Sequence, residues 1–190
     1  MSCISKVTGN LSYDCSVPYK GGLETKAVLI NRDDLDFTSV TTSGATVTNI
    51  SLKAGKTGYS VQWLKDLGTT ASEASINDGG LNNFKHSFFG RIFGSEASDV
   101  ERASELLRGE FICVVETKFK GTNNSAAFKV YGLESSLVMS EGNYASNEND
   151  GSFLFTLATP ENYGEPYVHN IWLETSYSTT KTKFDNLLSA

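Results

Sequence analysis

Two short runs in the last third of the chain constrain its fold more than any other feature. Ala127 to Leu133 (AFKVYGL) and Ser152 to Ala158 (SFLFTLA) alternate in character. Successive side chains of a strand point to opposite faces, so alternation reads as a strand with one face on a core. Between the runs lies a polar stretch, Glu134 to Asp150, with Gly142 near its middle, and Asp150-Gly151 supplies a turn into the second run. The segment reads as two strands joined by a long excursion.

The same grammar runs through the rest of the chain. Residues 1–22 are read as an irregular N-terminal arm, broken by Pro18, Gly21 and Gly22. Lys26 to Asn31 (KAVLIN) is a short apolar run, followed by a turn or cap over Asn31 to Asp36. Val47 to Leu52 alternates, Ala54 to Gly58 reads as a hairpin loop, and Tyr59 to Leu64 (YSVQWL) as its return strand, with Tyr59, Val61 and Trp63 on one face. Residues 65–80, rich in Thr, Ser and Gly, read as a loop. In the strand expected over Leu81 to Phe93, Phe84, His86, Phe88, Gly90 and Ile92 share one side; Lys85, Ser87, Phe89, Arg91 and Phe93 share the other. Phe111 to Lys118 (FICVVETK) is apolar enough to be central, with Cys113 in the core. Pro160 to Pro166 is turn-rich, and Tyr167 to Tyr177 reads as a final strand.

One helix is expected, Asp99 to Arg108. Ser98 and Glu101 form a capping box, Val100, Ala103, Leu106 and Leu107 a stripe, and Gly109 the stop. Phe184, Leu187 and Leu188 stand at helical spacing in a tail that can dock on the domain or on a neighbour. The expectation is a single domain over residues 1–190: an arm over 1–22, an antiparallel β-sandwich or barrel of about eight strands with one packed α-helix over 23–177, and a tail over 178–190.

With 22 acidic against 16 basic residues the formal net charge is −6, and no basic block occurs that could hold nucleic acid or an anionic membrane. No stretch has the length and apolarity of a membrane-spanning helix or a secretory signal, so a soluble protein made in the cytoplasm is expected. Cys3, Cys15 and Cys113 fit no zinc spacing and are read as free thiols; a Cys3–Cys15 bridge is the alternative. His86 and His169 stand alone, His86 as a structural residue among aromatics. Asp33, Asp34 and Asp36 read as a solvated turn, and the sequons Asn10-Leu-Ser and Asn49-Ile-Ser as chance in a chain rich in Ser and Thr. There is no nucleophile elbow, phosphate-cradling glycine loop or His-Glu-x-x-His. No catalytic, cofactor-binding or metal-binding residues are expected.

The order of elements resembles the tail tube proteins of tailed bacteriophages. The similarity begins at Gly21-Gly22-Leu23, continues through the Phe84 to Phe93 strand and the Asp99 to Arg108 helix, and is sharpest in Tyr131-Gly132-Leu133, Gly142, Asp150-Gly151 and Phe153 to Leu157. It covers about residues 21–160; residues 161–190 and the 65–80 loop depart from it. The resemblance implies a non-enzymatic virion structural protein, tail tube or hub, made in the bacterial host. It further implies a six-fold ring whose inner strands join into one barrel, with residues 65–80 or 38–46 reaching the next ring. The partners implied are further copies, other virion proteins of neck, tail or capsid, and DNA in transient contact within a lumen, with no membrane. Two alternatives stand beside it: a capsid auxiliary or decoration protein, and a carbohydrate-binding or adhesin module using Tyr59, Trp63, Tyr144, Tyr163, Tyr167 and Trp172.

Overall fold

A computed structural model describes residues 7–64, 67–76 and 82–189. These form eleven strands and two α-helices: β1 (Leu23–Asn31), β2 (Thr41–Ser43), β3 (Thr46–Asn49), β4 (Tyr59–Gln62), β5 (Thr69–Ser75), β6 (Asn83–Ile92), α1 (Ala97–Arg108), β7 (Phe111–Thr117), β8 (Phe128–Tyr131), β9 (Val138–Tyr144), β10 (Phe153–Ala158), β11 (Asn170–Trp172) and α2 (Tyr177–Asp185). They build a seven-stranded sheet in the order β2-β3-β11-β8-β7-β1-β4 and a four-stranded sheet in the order β5-β6-β10-β9. The protein is a β-sandwich with packed helices, and every pairing is antiparallel except β3 with β11.

Alternation explains how the large sheet sits at the centre. Val28 and Ile30 of β1, Ile112 and Val114 of β7, and Phe128 and Val130 of β8 face one core with Val47, Trp172, Phe184 and Leu188. Ala27, Leu29, Phe111, Cys113, Val115 and Tyr131 face a second core, between the sheets, with Trp63, Phe88, Phe155 and Leu157. A sheet covered on both sides needs apolar residues at consecutive positions, which is why all seven residues of β7 are buried.

The helices divide the work differently from the sequence expectation. Helix α1 starts two residues earlier than Asp99, at Ala97, and its N-cap is Glu96, whose N–H donates to the Asp99 carboxylate at 3.2 Å. The box therefore joins Glu96 and Asp99 rather than Ser98 and Glu101. No residue of α1 is buried; Leu106 packs partly on the inter-sheet core while Val100 and Leu107 stay exposed. The C-terminal segment docks on its own domain instead. Ser176 caps α2 by accepting the Thr179 N–H, Phe184 and Leu188 enter the first core, and Glu116 on β7 binds Lys120 (2.6 Å), Tyr177 Oη (2.8 Å) and Lys181 (3.6 Å).

Several strand expectations are corrected. β4 is not the hairpin return of β3: it pairs with β1, while β3 pairs with β2 and β11. The final strand is three residues, Asn170–Trp172, because the chain turns into α2 at Tyr177. The presumed 65–80 loop contains β5, the presumed 38–46 loop contains β2, and the excursion after Leu133 contains β9, so the strands number eleven rather than about eight. Residues 65–66 and 77–80 of the 65–80 segment, and Cys3, lie outside the described residues.

Candidate functional site

The exposed face and edges of the four-stranded sheet are the most unusual surface of the fold. Cross-strand partners share a face. Phe88, Gly90, Phe155 and Leu157 point inward, and Gly90 is needed because a Cβ there would come within 2.5 Å of the Phe155 ring. The outer face takes the intervening positions: Thr69, Ala71 and Glu73 on β5, Lys85, Ser87, Phe89 and Arg91 on β6, Leu154, Thr156 and Ala158 on β10, and Glu141 and Asn143 on β9. The two sides expected of the Phe84 to Phe93 strand are those observed. None of these outer-face residues is buried.

The charges on this face are unequal in availability. Lys85 Nζ donates to the carbonyls of Pro160 (2.9 Å), Glu161 (2.6 Å) and Tyr163. Arg91 donates to the Asn149 carbonyl at 2.5 Å and lies 3.9 Å from Asp150, with its side chain 10% exposed. Both cations are thus tied to the loops beside the sheet, whereas Glu73 and Glu141 are exposed.

Each edge of this sheet is a seven-residue strand. The Phe84–Glu165 pair, which exchanges N–H and C=O at 2.9 Å, sets the ladder phase: even-numbered β6 residues bond toward β10 and odd-numbered ones toward β5. The backbone groups of Thr70, Ser72 and Ala74 on β5 then point to the open side, as do those of Gly142 and Tyr144 on β9. No family profile, curated protein or solved structure matches this chain.

The titratable residues behind the sheet are arranged for structure. His86 is 1% exposed; its Nδ1 accepts the Gly132 N–H at 3.1 Å and its Nε2 lies 2.9 Å from the Tyr167 carbonyl, which fixes the Nε2–H tautomer. Burial holds its pKa below the ordinary 6.5, against the opposing pull of the Tyr167 carbonyl and Glu165. Glu165, fully buried, accepts the N–H groups of Glu134 (3.1 Å) and Ser135 (2.8 Å). The structure brings the two histidines around Tyr131, whose ring centroid is 5.2 Å from His86 and 6.1 Å from His169. Burial first, then Lys129 and His86, lowers the His169 pKa to about 4. Both ring nitrogens of His86 are spent on backbone, and burial pushes the Cys113 thiol far up, so neither is an active base or nucleophile. No group of three or more His, Cys, Asp and Glu placed to hold a metal occurs among the described residues.

The other singled-out residues scatter. Asp34 binds Lys56 (3.0 Å) and Asn31 (3.0 Å), while Asp36 accepts from Thr38 (2.7 Å), so the acidic trio diverges into separate turn contacts. Trp63 and Trp172 are buried in the two cores, leaving Tyr59, Tyr144 and Tyr163 exposed on a strand of each sheet and on a loop. Sequence reading missed β5 and β9 because TTASEAS and VMSEGNY bury no face continuously; the usable signal was the run of Thr and Ser in the first.

Proposed function

We propose that this chain is a non-enzymatic virion structural protein of a tailed bacteriophage that assembles into a ring or tube conducting the genome. The observation that carries the reading is the pair of seven-residue edge strands on one sheet, neither bonded to a further strand, with α1 lying beside part of β9. Long uncovered edges are templates for pairing with another chain. β5 and β9 run antiparallel to one another across the sheet, since three antiparallel steps separate them. Copies related by rotation about one axis therefore place β9 of one beside β5 of the next in antiparallel register, extending the sheet. That contact is heterologous, and heterologous contacts close into rings when the rotation closes. Six copies is the number the tail-tube resemblance supplies.

The outer face fits the inside of such a ring. Thr, Ala and Ser dominate β5, and the two cations of the face are held by loop carbonyls and Asp150, so a sliding polyanion meets carboxylates rather than free cations. The test is native mass and negative-stain imaging across a concentration series, for the natural chain and for Ala74→Pro. Proline at position 74 removes an N–H from the open edge without touching the β5–β6 bonds. Rings in the natural chain that are lost in Ala74→Pro support the reading. A strict monomer at every concentration overturns self-assembly and favours the decoration-protein alternative.

A further inference from the structure

A further edge without a strand partner and an uncovered strand-like segment occur in the same molecule. β4 is the last strand of the large sheet. The Trp63 N–H donates to the Thr25 carbonyl at 3.1 Å, so odd-numbered β4 residues bond to β1 and the backbone groups of Ser60 and Gln62 face outward. Beside that edge, on the face of the sheet turned to the second core, runs a cleft of about 1050 Å³ between β4 and α1, lined by Leu29, Val61, Ile92, Leu106, Phe111 and Phe155. The rim carries Asp99, Glu101 and Glu105 together with Arg102, which pairs with Asp99 at 3.6 Å.

The segment Val7 to Tyr13 (VTGNLSY) has the complementary form. It is uncharged, so neither sign of charge on the rim repels it. It alternates, with Val7, Gly9, Leu11 and Tyr13 on one side and Thr8, Asn10 and Ser12 on the other. Its three large apolar residues are 74%, 93% and 79% exposed. A strand pattern with no sheet beneath it lacks the burial that would pay for its order.

Its own copy does not supply that sheet. Tyr13 stacks on Tyr19 at 5.7 Å and Tyr19 meets Phe119 at 5.3 Å, which pins the segment beyond the C-terminal end of β7. β7 flanks β1 on the side opposite β4, and Val61, which pairs with Ala27, is about 13 Å along the strand axis from the Leu23–Thr117 pair and two strand spacings, about 10 Å, across from β7. While those rings stay stacked, Tyr13 cannot lie beside Val61 of the same chain.

We propose that residues Val7 to Tyr13 of one copy add as a strand to the β4 edge of a second copy, with Leu11 and Tyr13 set into the β4–α1 cleft. Backbone groups of Ser60 and Gln62 provide the ladder, and the cleft reads the apolar side of the donor strand. This contact uses neither β5 nor β9 and stands apart from ring closure.

The test uses the full chain with p-benzoylphenylalanine at position 11, mixed tagged and untagged. The expected result is cross-links between copies that map to β4, β6 and α1. Leu11→Asp, placed instead on an exposed arm where it cannot unfold the domain, is expected to remove the protection from hydrogen exchange that Ser60 and Gln62 gain in concentrated protein, an effect of about tenfold. Ser60→Pro, which deletes an outward N–H, is expected to lower the cross-link yield by a similar factor. Cross-links within one copy or to any other surface overturn the proposal, as does free exchange of both amides in concentrated natural protein. Ala74→Pro separates the two contacts: rings lost with cross-links retained leaves this contact standing by itself.

Discussion

Lowering the pH from 7 to 5 carries the unfolded chain's histidines through their ordinary pKa while the aspartates held below 3.8 stay ionised. Both His86 and His169 have folded-state pKa values below the ordinary 6.5, and for His169 the value is about 4. The unfolded chain therefore takes up protons first as pH falls, so stability is full above about 6.5 and drains away from there toward the folded pKa. The slope is about 1.4 kcal/mol per pH unit per group, so His169 loses up to about 2 kcal/mol by pH 5; halving this for its part-exposed ring leaves about 1 kcal/mol. His86 adds in the same direction. Asp34, Asp36 and Asp185 are held below the ordinary 3.8, so their contribution survives until the pH falls below that value and does not change in this window. Urea unfolding followed by fluorescence of the buried Trp63 and Trp172 reads the effect, and about 1 kcal/mol moves the midpoint by about 0.5 M. His169→Gln should show a visibly smaller shift than the natural chain. An unchanged midpoint between pH 7 and pH 5, or an undiminished shift in His169→Gln, refutes the assignment.

Three further outcomes follow from packing and burial. Phe128→Ala, which empties a position touching Trp172, Tyr177 and Phe184, should cost about 3–5 kcal/mol by denaturant unfolding, whereas Leu107→Ala on the exposed face of α1 should stay within about 0.5 kcal/mol. Glu116→Ala leaves Lys120 and Lys181 without their shared carboxylate and Tyr177 without its acceptor; a loss of about 2–3 kcal/mol is expected, with hydrogen exchange in α2 accelerated before the sheets open. Cys113 should resist a thiol reagent in the native protein and react only on unfolding, while exposed Cys15 reacts at once.

What the sequence made legible follows the distribution of large apolar residues. β1, β6, β7, β8 and β10 each place such residues in a core, and all five are visible as patterns. Pairing was less legible than existence. Gly55 and the Lys53–Lys56 backbone bond make a genuine turn, yet the residues after it go to β1 because Val61 and Trp63 belong to the inter-sheet core while Val47 belongs to the other one. A turn does not declare which core its two arms serve. The proposed assembly edges were the least visible, since an edge strand that waits for a partner has no buried face to announce it. The buried His86 was read as structural among aromatics, but its neighbour His169 was not connected to it, because Tyr131 joins them only through space.

The position of β11 has a consequence in time. Residues Asn170–Trp172 are made after every other strand, yet they lie between β8 and β3, bonded to both. Until they emerge, the β2–β3 hairpin has no sheet to join, and Trp172 is missing from the core beneath it. Synthesis of the last strand thus acts as a completion signal. The β2–β3 end of the large sheet is therefore the last part of the fold to close, whereas the β4 edge, held by β1 at the opposite end, forms without waiting for it.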